Sequence, residues 1–105
     1  MEKELRKLKD IKEQIVKGWT NYKKSPKDRI NYNYVDARLE VLEMQFKSFS
    51  AKYENVVGEC KGDELHDFFE EDIYETVYEN YLMYKVELKN VLLQLKRKHH
   101  TLLHP

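Results

Sequence analysis

The amino-acid sequence predicts an all-α protein: an elongated three-helix arrangement in which helices 2 and 3 form a long antiparallel hairpin and an N-terminal helix packs beside them. Charged residues make up 36% of the 105 positions, and glycine and proline together occupy only five. Apolar residues recur at three- and four-residue steps, as in long helices, whereas sheets need more turn residues. A chain of this length forms one domain. We expect it to cover residues 1–98, followed by a frayed tail at residues 99–105.

The first helix is predicted over residues 2–23, because one apolar stripe runs along it. The stripe consists of Leu5, Leu8, Ile11, Ile15, Trp19 and Tyr22. The run Ser25-Pro26-Lys27-Asp28 then has the pattern of a helix start, with a capping serine, a proline in the first turn and an acid near the positive end of the helix dipole. Helix 2 is therefore predicted over residues 26–56, before Gly58 and Gly62.

Helix 2 carries apolar residues on two registers. Its main seam alternates steps of four and three residues, as in a coiled coil: Val35, Leu39, Leu42, Phe46, Phe49, Tyr53 and Val56. A second stripe on the other side has smaller residues: Ile30, Tyr34, Ala37, Val41, Met44, Ser48 and Ala51. A helix with two apolar sides requires two partners.

Helix 3 is predicted over residues 64–97. Its main seam comprises Ile73, Val77, Tyr81, Tyr84, Leu88, Val91 and Leu95, and its outer stripe comprises Leu82, Val86 and Leu93. The two main seams should pair in the hairpin. Helix 1 has one apolar side, so it can cover one remaining stripe, and the stripe left over predicts self-association. The sequence leaves open whether helix 1 folds onto its own hairpin or swaps onto a neighbour.

These patterns give a set of interface candidates. Tyr74 and Tyr78 join them because they lie at the edge of the seam and tyrosine offers a large area with a polar tip. The candidates are Ile30, Tyr34, Val41, Met44, Tyr74, Tyr78, Leu82, Val86 and Leu93.

The net charge is zero, but the charges are segregated along the chain. Residues 1–27 hold nine basic and four acidic side chains, residues 63–80 hold eight acidic and no basic ones, and residues 81–105 hold five basic and one acidic. Such sorting favours head-to-tail or antiparallel association of copies. The basic residues could also contact phosphates, which makes weak nucleic-acid binding an alternative. The candidate contacts are Lys3, Arg6, Lys7, Lys9, Lys96, Arg97 and Lys98.

The sequence predicts no catalytic, cofactor or metal site. Three of the four histidines lie in the lysine-rich tail, which lacks the supporting groups that a metal site needs. Cys60 has no partner for an intrachain disulfide, and the acidic stretch at residues 63–75 lacks an apolar pocket that would perturb a carboxyl group. Neither a signal peptide nor an apolar membrane span is recognisable. We expect an intracellular protein, cytoplasmic or nuclear, without membrane contact.

Three segments, "LRKLKDIKEQIVKGWTNY", "VDARLEVLEMQFKSFSAKYENVV" and "FFEEDIYETVYENYLMYKVELKNVLLQL", together resemble a family. It is the Gag-like domain of unknown function near the N-terminus of Pao/BEL-class LTR retrotransposon polyproteins. The matching positions are Arg38, Leu39, Glu40, Leu42, Phe46, Phe49, Tyr81, Lys85 and Leu88. The resemblance implies a Gag structural segment, or a host protein descended from one, that assembles copies of itself.

The functional hypothesis is a non-enzymatic self-association module, with a homodimer as the first expectation. One alternative is a host adaptor whose groove accepts a helix of another protein. The other is a weak nucleic-acid binder that acts through helix 1 and the tail.

Overall fold

The computed structural model describes residues 2–59 and 72–103, with side chains over 3–58 and 72–97. These ranges contain three α-helices, α1 (Glu2–Lys23), α2 (Tyr32–Glu59) and α3 (Ile73–Leu103), and a short 3-10 helix at Lys27–Arg29. Each α-helix contacts the other two, in a bundle of 64 × 22 × 18 Å. The predicted all-α class, with helices 2 and 3 packed as a hairpin beside an N-terminal helix, is confirmed.

The direction of the helices follows from their ring contacts. Phe46 packs on Tyr81 and Tyr53 packs on Tyr74, so a later residue of α2 contacts an earlier residue of α3. The two helices are therefore antiparallel. A short connection reverses the chain between α1 and α2, which makes α1 parallel to α3. The rings of Tyr22 and Tyr84 lie 6.0 Å apart, and α1 packs on the hairpin of its own chain.

The core lies where the apolar stripe of α1 meets the main seams of α2 and α3. In α1 and α2 the fully buried residues recur every seventh position, because seven residues make nearly two whole turns. The buried apolar residues are Leu8, Ile15, Tyr22, Val35, Leu42, Phe49, Val56, Ile73, Val77, Tyr81, Tyr84 and Leu88. Every one of them belongs to the predicted stripe of helix 1 or to the main seam of helix 2 or 3. The other seam residues are partly buried against this core.

Helix α2 begins at Tyr32, not at residue 26, so the predicted start is wrong. Ile30 is extended (φ −81°, ψ 92°), which ends the 3-10 turn and lets its side chain pack against the core. The α-helix restarts after it, and the Asn31 side-chain oxygen accepts the Tyr34 N–H at 2.9 Å as the cap. Ser25, the predicted cap, instead bonds the Asn21 carbonyl at 3.2 Å.

The other helix ends also differ from the prediction. α2 passes through Gly58 and ends at Glu59, and α3 continues to Leu103, beyond the expected end at residue 97. A glycine weakens a helix interior by only about 1 kcal/mol, and the burial of Val56 in the core, two residues earlier, outweighs it. The predicted start of helix 3 at residue 64 lies outside the described residues.

Candidate protein-interaction surface

Aromatic rings fill the contact between α2 and α3. The rings of Phe46 and Tyr81 are stacked, with centroids 4.1 Å apart, and Phe46 also meets Tyr78 at 5.9 Å. Nearer the end of the hairpin, Tyr53 and Tyr74 lie 4.9 Å apart. Such pairs add about 0.5–1.5 kcal/mol beyond the burial of their area. Tyr74 and Tyr78 thus hold the hairpin together as well as lying at its edge.

A polar network crosses the same contact. The Tyr81 hydroxyl donates to both carboxylate oxygens of Glu43, at 3.0 and 2.9 Å. The Lys85 ammonium lies 2.9 Å from Glu43 Oε1 and donates to the Tyr81 oxygen at 2.9 Å. The three groups form a closed arrangement in which the carboxylate receives both donors.

This network shifts two pKa values in the direction that keeps both partners charged. Burial raises the pKa of Glu43, but the hydrogen bonds from Lys85 and Tyr81 outweigh it, and the net pKa lies below the ordinary value. The hydrogen bonds with Tyr81 and Glu43 raise the pKa of Lys85. At neutral pH the pair is therefore ionised, as a structural ion pair should be.

The predicted interface candidates divide into two groups. Four of them are partly buried against the core of their own chain: Ile30, Tyr34, Tyr74 and Leu82. Tyr34 also takes part in a polar contact, because its hydroxyl accepts hydrogen bonds from Arg38 at 3.1 and 3.2 Å. The remaining five are exposed: Tyr78 38%, Val41 51%, Met44 70%, Val86 55% and Leu93 54%.

Tyr78 lies at the contact between α2 and α3, and the other four exposed candidates lie on two separate surfaces. Val41 and Met44 share the outer side of α2, next to a shallow depression of about 460 Å³ lined by Glu43, Met44, Phe46, Lys47 and Ser50. Val86 and Leu93, seven residues apart, share the outer side of α3, with Leu82 at its edge. Met83, also 56% exposed, lies three residues before Val86 and was missed because the outer stripe was traced through its neighbour Leu82.

The basic candidates are not brought together. Lys3, Arg6, Lys7 and Lys9 are exposed near the start of α1, and Lys96 and Arg97 are exposed towards the end of α3. Trp19 lies beside Glu87, and α1 runs parallel to α3. At about 1.5 Å per residue, Lys9 and Lys96 are thus about 30 Å apart along the bundle. The side chain of Lys98 lies outside the described residues.

Among the described residues, no group of three or more histidine, cysteine or acidic side chains is placed to hold a metal ion. Cys60 and the four histidines lie outside the described side chains. None of the helices in the described ranges combines the length and apolar composition needed to span a bilayer.

Sequence reasoning missed the polar contacts between helices. They include the Glu43 network and the Trp19 indole, which donates to Glu87 Oε2 at 2.7 Å. The Gly18 carbonyl also accepts from the Tyr84 hydroxyl at 3.4 Å and from Arg38 Nη1 at 3.5 Å. Glu43 and Lys85 each lie next to a seam residue, where the charged flanks of paired helices meet. That position was the available signal for the pair.

No protein-family model matches the chain, and no curated protein or solved structure matches it either. The resemblance to the Gag-like domain therefore stays a prediction that rests on the residues of this chain.

Proposed function

We propose that this protein is a non-enzymatic helical module that associates with copies of itself through apolar side chains on the outer surfaces of α2 and α3. The observation that carries the proposal is that Val41, Met44, Val86 and Leu93 remain at least half exposed although the chain has built a complete core. Fully burying an exposed side chain of this kind is worth roughly 1.5–3 kcal/mol, and about half of that is still to be gained at each of these positions. A second copy that covers them would gain this free energy.

Three further features support the proposal. The exposed residues repeat at helical spacing on long, regular helices, whereas isolated surface apolar residues are commonly scattered. The resemblance to a Gag-like domain implies the same behaviour. Opposite charges at the two ends of α3 also suit the association of like chains.

The test is the absolute mass in solution, measured by light scattering over a concentration series at low and high salt. We expect the mass of the wild type to rise towards that of a dimer. One of two double variants, Val41→Asp with Met44→Asp or Val86→Asp with Leu93→Asp, should remain monomeric. The control is Val16→Asp, which changes an exposed valine on α1 and should behave as the wild type does.

Circular dichroism would verify that each variant keeps its helical content, so that a loss of association is not a loss of folding. A folded wild type that stays monomeric at every concentration and salt would overturn the proposal.

A second candidate function is an adaptor whose groove accepts a helix of another protein. The shallow depression beside Met44 and Phe46 favours it, because apolar side chains line it next to the charged Glu43 and Lys47. A wild type that is monomeric throughout would favour this candidate. The separation of the basic residues gives nucleic-acid binding no comparable support.

A further inference from the structure

The outer side of α3 carries one continuous stripe, which we call the α3 stripe. Its residues alternate steps of four and three and so lie along one side of the helix. It consists of Glu75, Glu79, Leu82, Val86, Lys89, Leu93 and Lys96. All except the partly buried Leu82 are exposed, so the bundle leaves this side of α3 uncovered. The stripe is acidic at its start and basic at its end, and its middle part carries three apolar side chains and Lys89.

We propose that the α3 stripe binds the α3 stripe of a second copy in the antiparallel direction. This inference rests on the proposed self-association and assigns it a surface and an orientation. In an antiparallel pair, Glu79 faces Lys96 of the second copy and Leu82 faces Leu93 of the second copy. Val86 then faces Lys89 of the second copy. Twofold symmetry repeats each contact, so the dimer gains two of each kind.

The charges select this orientation. In a parallel pair the same stripe would place Glu79 against Glu79, Lys89 against Lys89 and Lys96 against Lys96. Like charges that face each other across a helical seam oppose association, and opposite charges at the same places fix the direction. The antiparallel pair turns the acidic and the basic ends into two ion pairs.

The central contact also fits this arrangement. The aliphatic part of the Lys89 side chain can lie along Val86 of the second copy while its ammonium reaches water. Two such contacts separate the two Leu82–Leu93 contacts.

The apolar stripe of α2 offers less to a second copy. Ile30 and Tyr34 pack against the core of their own chain, which leaves Ala37, Val41, Met44, Ser48 and Ala51, and none of these is charged. A second α2 could cover it in either direction. The α3 stripe is the surface on which charge complementarity identifies both the partner and the direction.

Cross-linking of introduced cysteines tests the orientation, in a Cys60→Ser background with a short bis-maleimide. A mixture of Leu82→Cys and Leu93→Cys chains should cross-link efficiently, and Val86→Cys should cross-link with itself near the symmetry axis. Leu93→Cys alone should not, because in the antiparallel pair the two copies of residue 93 lie about 16 Å apart along the helices. Leu93→Cys that cross-links with itself as efficiently as the mixture would show a parallel pair and overturn the inference.

Charge reversal tests the ion pairs. Glu79→Lys should weaken association about tenfold, because it places like charges at two symmetric contacts. Adding Lys96→Glu should restore association, and Glu13→Lys on the exposed side of α1 should leave it unchanged. A double variant that stays as weak as Glu79→Lys would overturn the pairing of residues 79 and 96.

The outcomes separate this inference from the proposed function. A dimer by mass that is lost in Val41→Asp with Met44→Asp, and that gives no cross-link on α3, keeps self-association and overturns the α3 pairing. A monomer by mass overturns both.

Discussion

The Lys85 ammonium lies 2.9 Å from Glu43 Oε1 and donates to the Tyr81 hydroxyl oxygen at 2.9 Å, so that one cation joins α2 and α3 near the middle of the hairpin. Both charged side chains keep some exposure, 27% for Lys85 and 43% for Glu43. Exposed pairs of this kind contribute about 1 kcal/mol or less. The pair also helps fix the alignment of the helices, because a shift of one turn would separate the charges by about 5 Å.

Replacing Glu43 with glutamine should lower the free energy of unfolding by about 1 kcal/mol, since it removes the ion pair and weakens the bonds to Tyr81. Urea denaturation followed by circular dichroism measures the change. The control is Glu40→Gln, which neutralises an exposed carboxylate one turn away and should change the stability by no more than a few tenths of a kcal/mol. Equal effects of the two substitutions would contradict a specific role for the network.

The same network predicts how stability depends on pH. The folded pKa of Glu43 lies below its ordinary value, so its contribution is fully present above the unfolded pKa of about 4.3 and is lost as the pH falls through the lower folded value. The difference in stability between wild type and Glu43→Gln should therefore be largest near pH 6 and shrink towards pH 3. Urea titrations of both proteins at several pH values would measure it. A difference that grows under acidic conditions would have the wrong sign.

The periodic core was predictable because periodicity is a local property of the sequence. Leu8, Ile15 and Tyr22 lie on one side of α1 wherever that helix packs, and the heptad seams of α2 and α3 already specify each other. Helix 1 was expected to cover one of the two remaining stripes, but it packs on the main seams instead, so Val41 and Met44 of one stripe and Val86 and Leu93 of the other are all exposed.

The remaining features depend on contacts distant in sequence. Ser25 and Pro26 carry every local signal of a helix start, but the helix begins six residues later because Ile30 turns towards the core. The burial of Tyr34 and Leu82 depends on how the helices sit together, and the network of Glu43 depends on the alignment of two helices. None of these is encoded in a single segment.

Gly18→Ala should stabilise the protein by about 0.5–1 kcal/mol, because glycine in a helix interior costs that much relative to alanine. A Cβ at Gly18 would lie 3.9 Å from Arg38 Nη1 and from Tyr84 Cε2, an ordinary contact distance. The melting temperature should rise by several degrees. Gly58→Ala is the matched control: a Cβ there meets nothing within 4 Å, and the residue lies at the end of α2, so its gain should be smaller. A destabilised Gly18→Ala would mean that α1 lies closer to the hairpin than described.

Two residues two positions apart test the assignment of the α2 seam. Leu42 is 1% exposed and Met44 is 70% exposed. Leu42→Ala should cost about 2–5 kcal/mol, because it leaves a cavity between three helices. Met44→Ala should change the stability by less than about 0.5 kcal/mol at protein concentrations where the chain is monomeric. Comparable losses from the two substitutions would show that α2 is rotated relative to this core.

Trp19 makes the docking of α1 directly measurable, because it is the single tryptophan of the chain. Its ring stacks on Tyr84, with centroids 6.0 Å apart, and its indole N–H donates to Glu87. All three helices share one core, so unfolding in urea followed by tryptophan fluorescence and by circular dichroism should give one midpoint. Glu87→Ala removes the acceptor and should lower both midpoints together, by about 1–2 kcal/mol of stability. A fluorescence midpoint at a lower urea concentration than the circular dichroism midpoint would mean that α1 separates from a hairpin that stays folded. That outcome would contradict a single cooperative bundle.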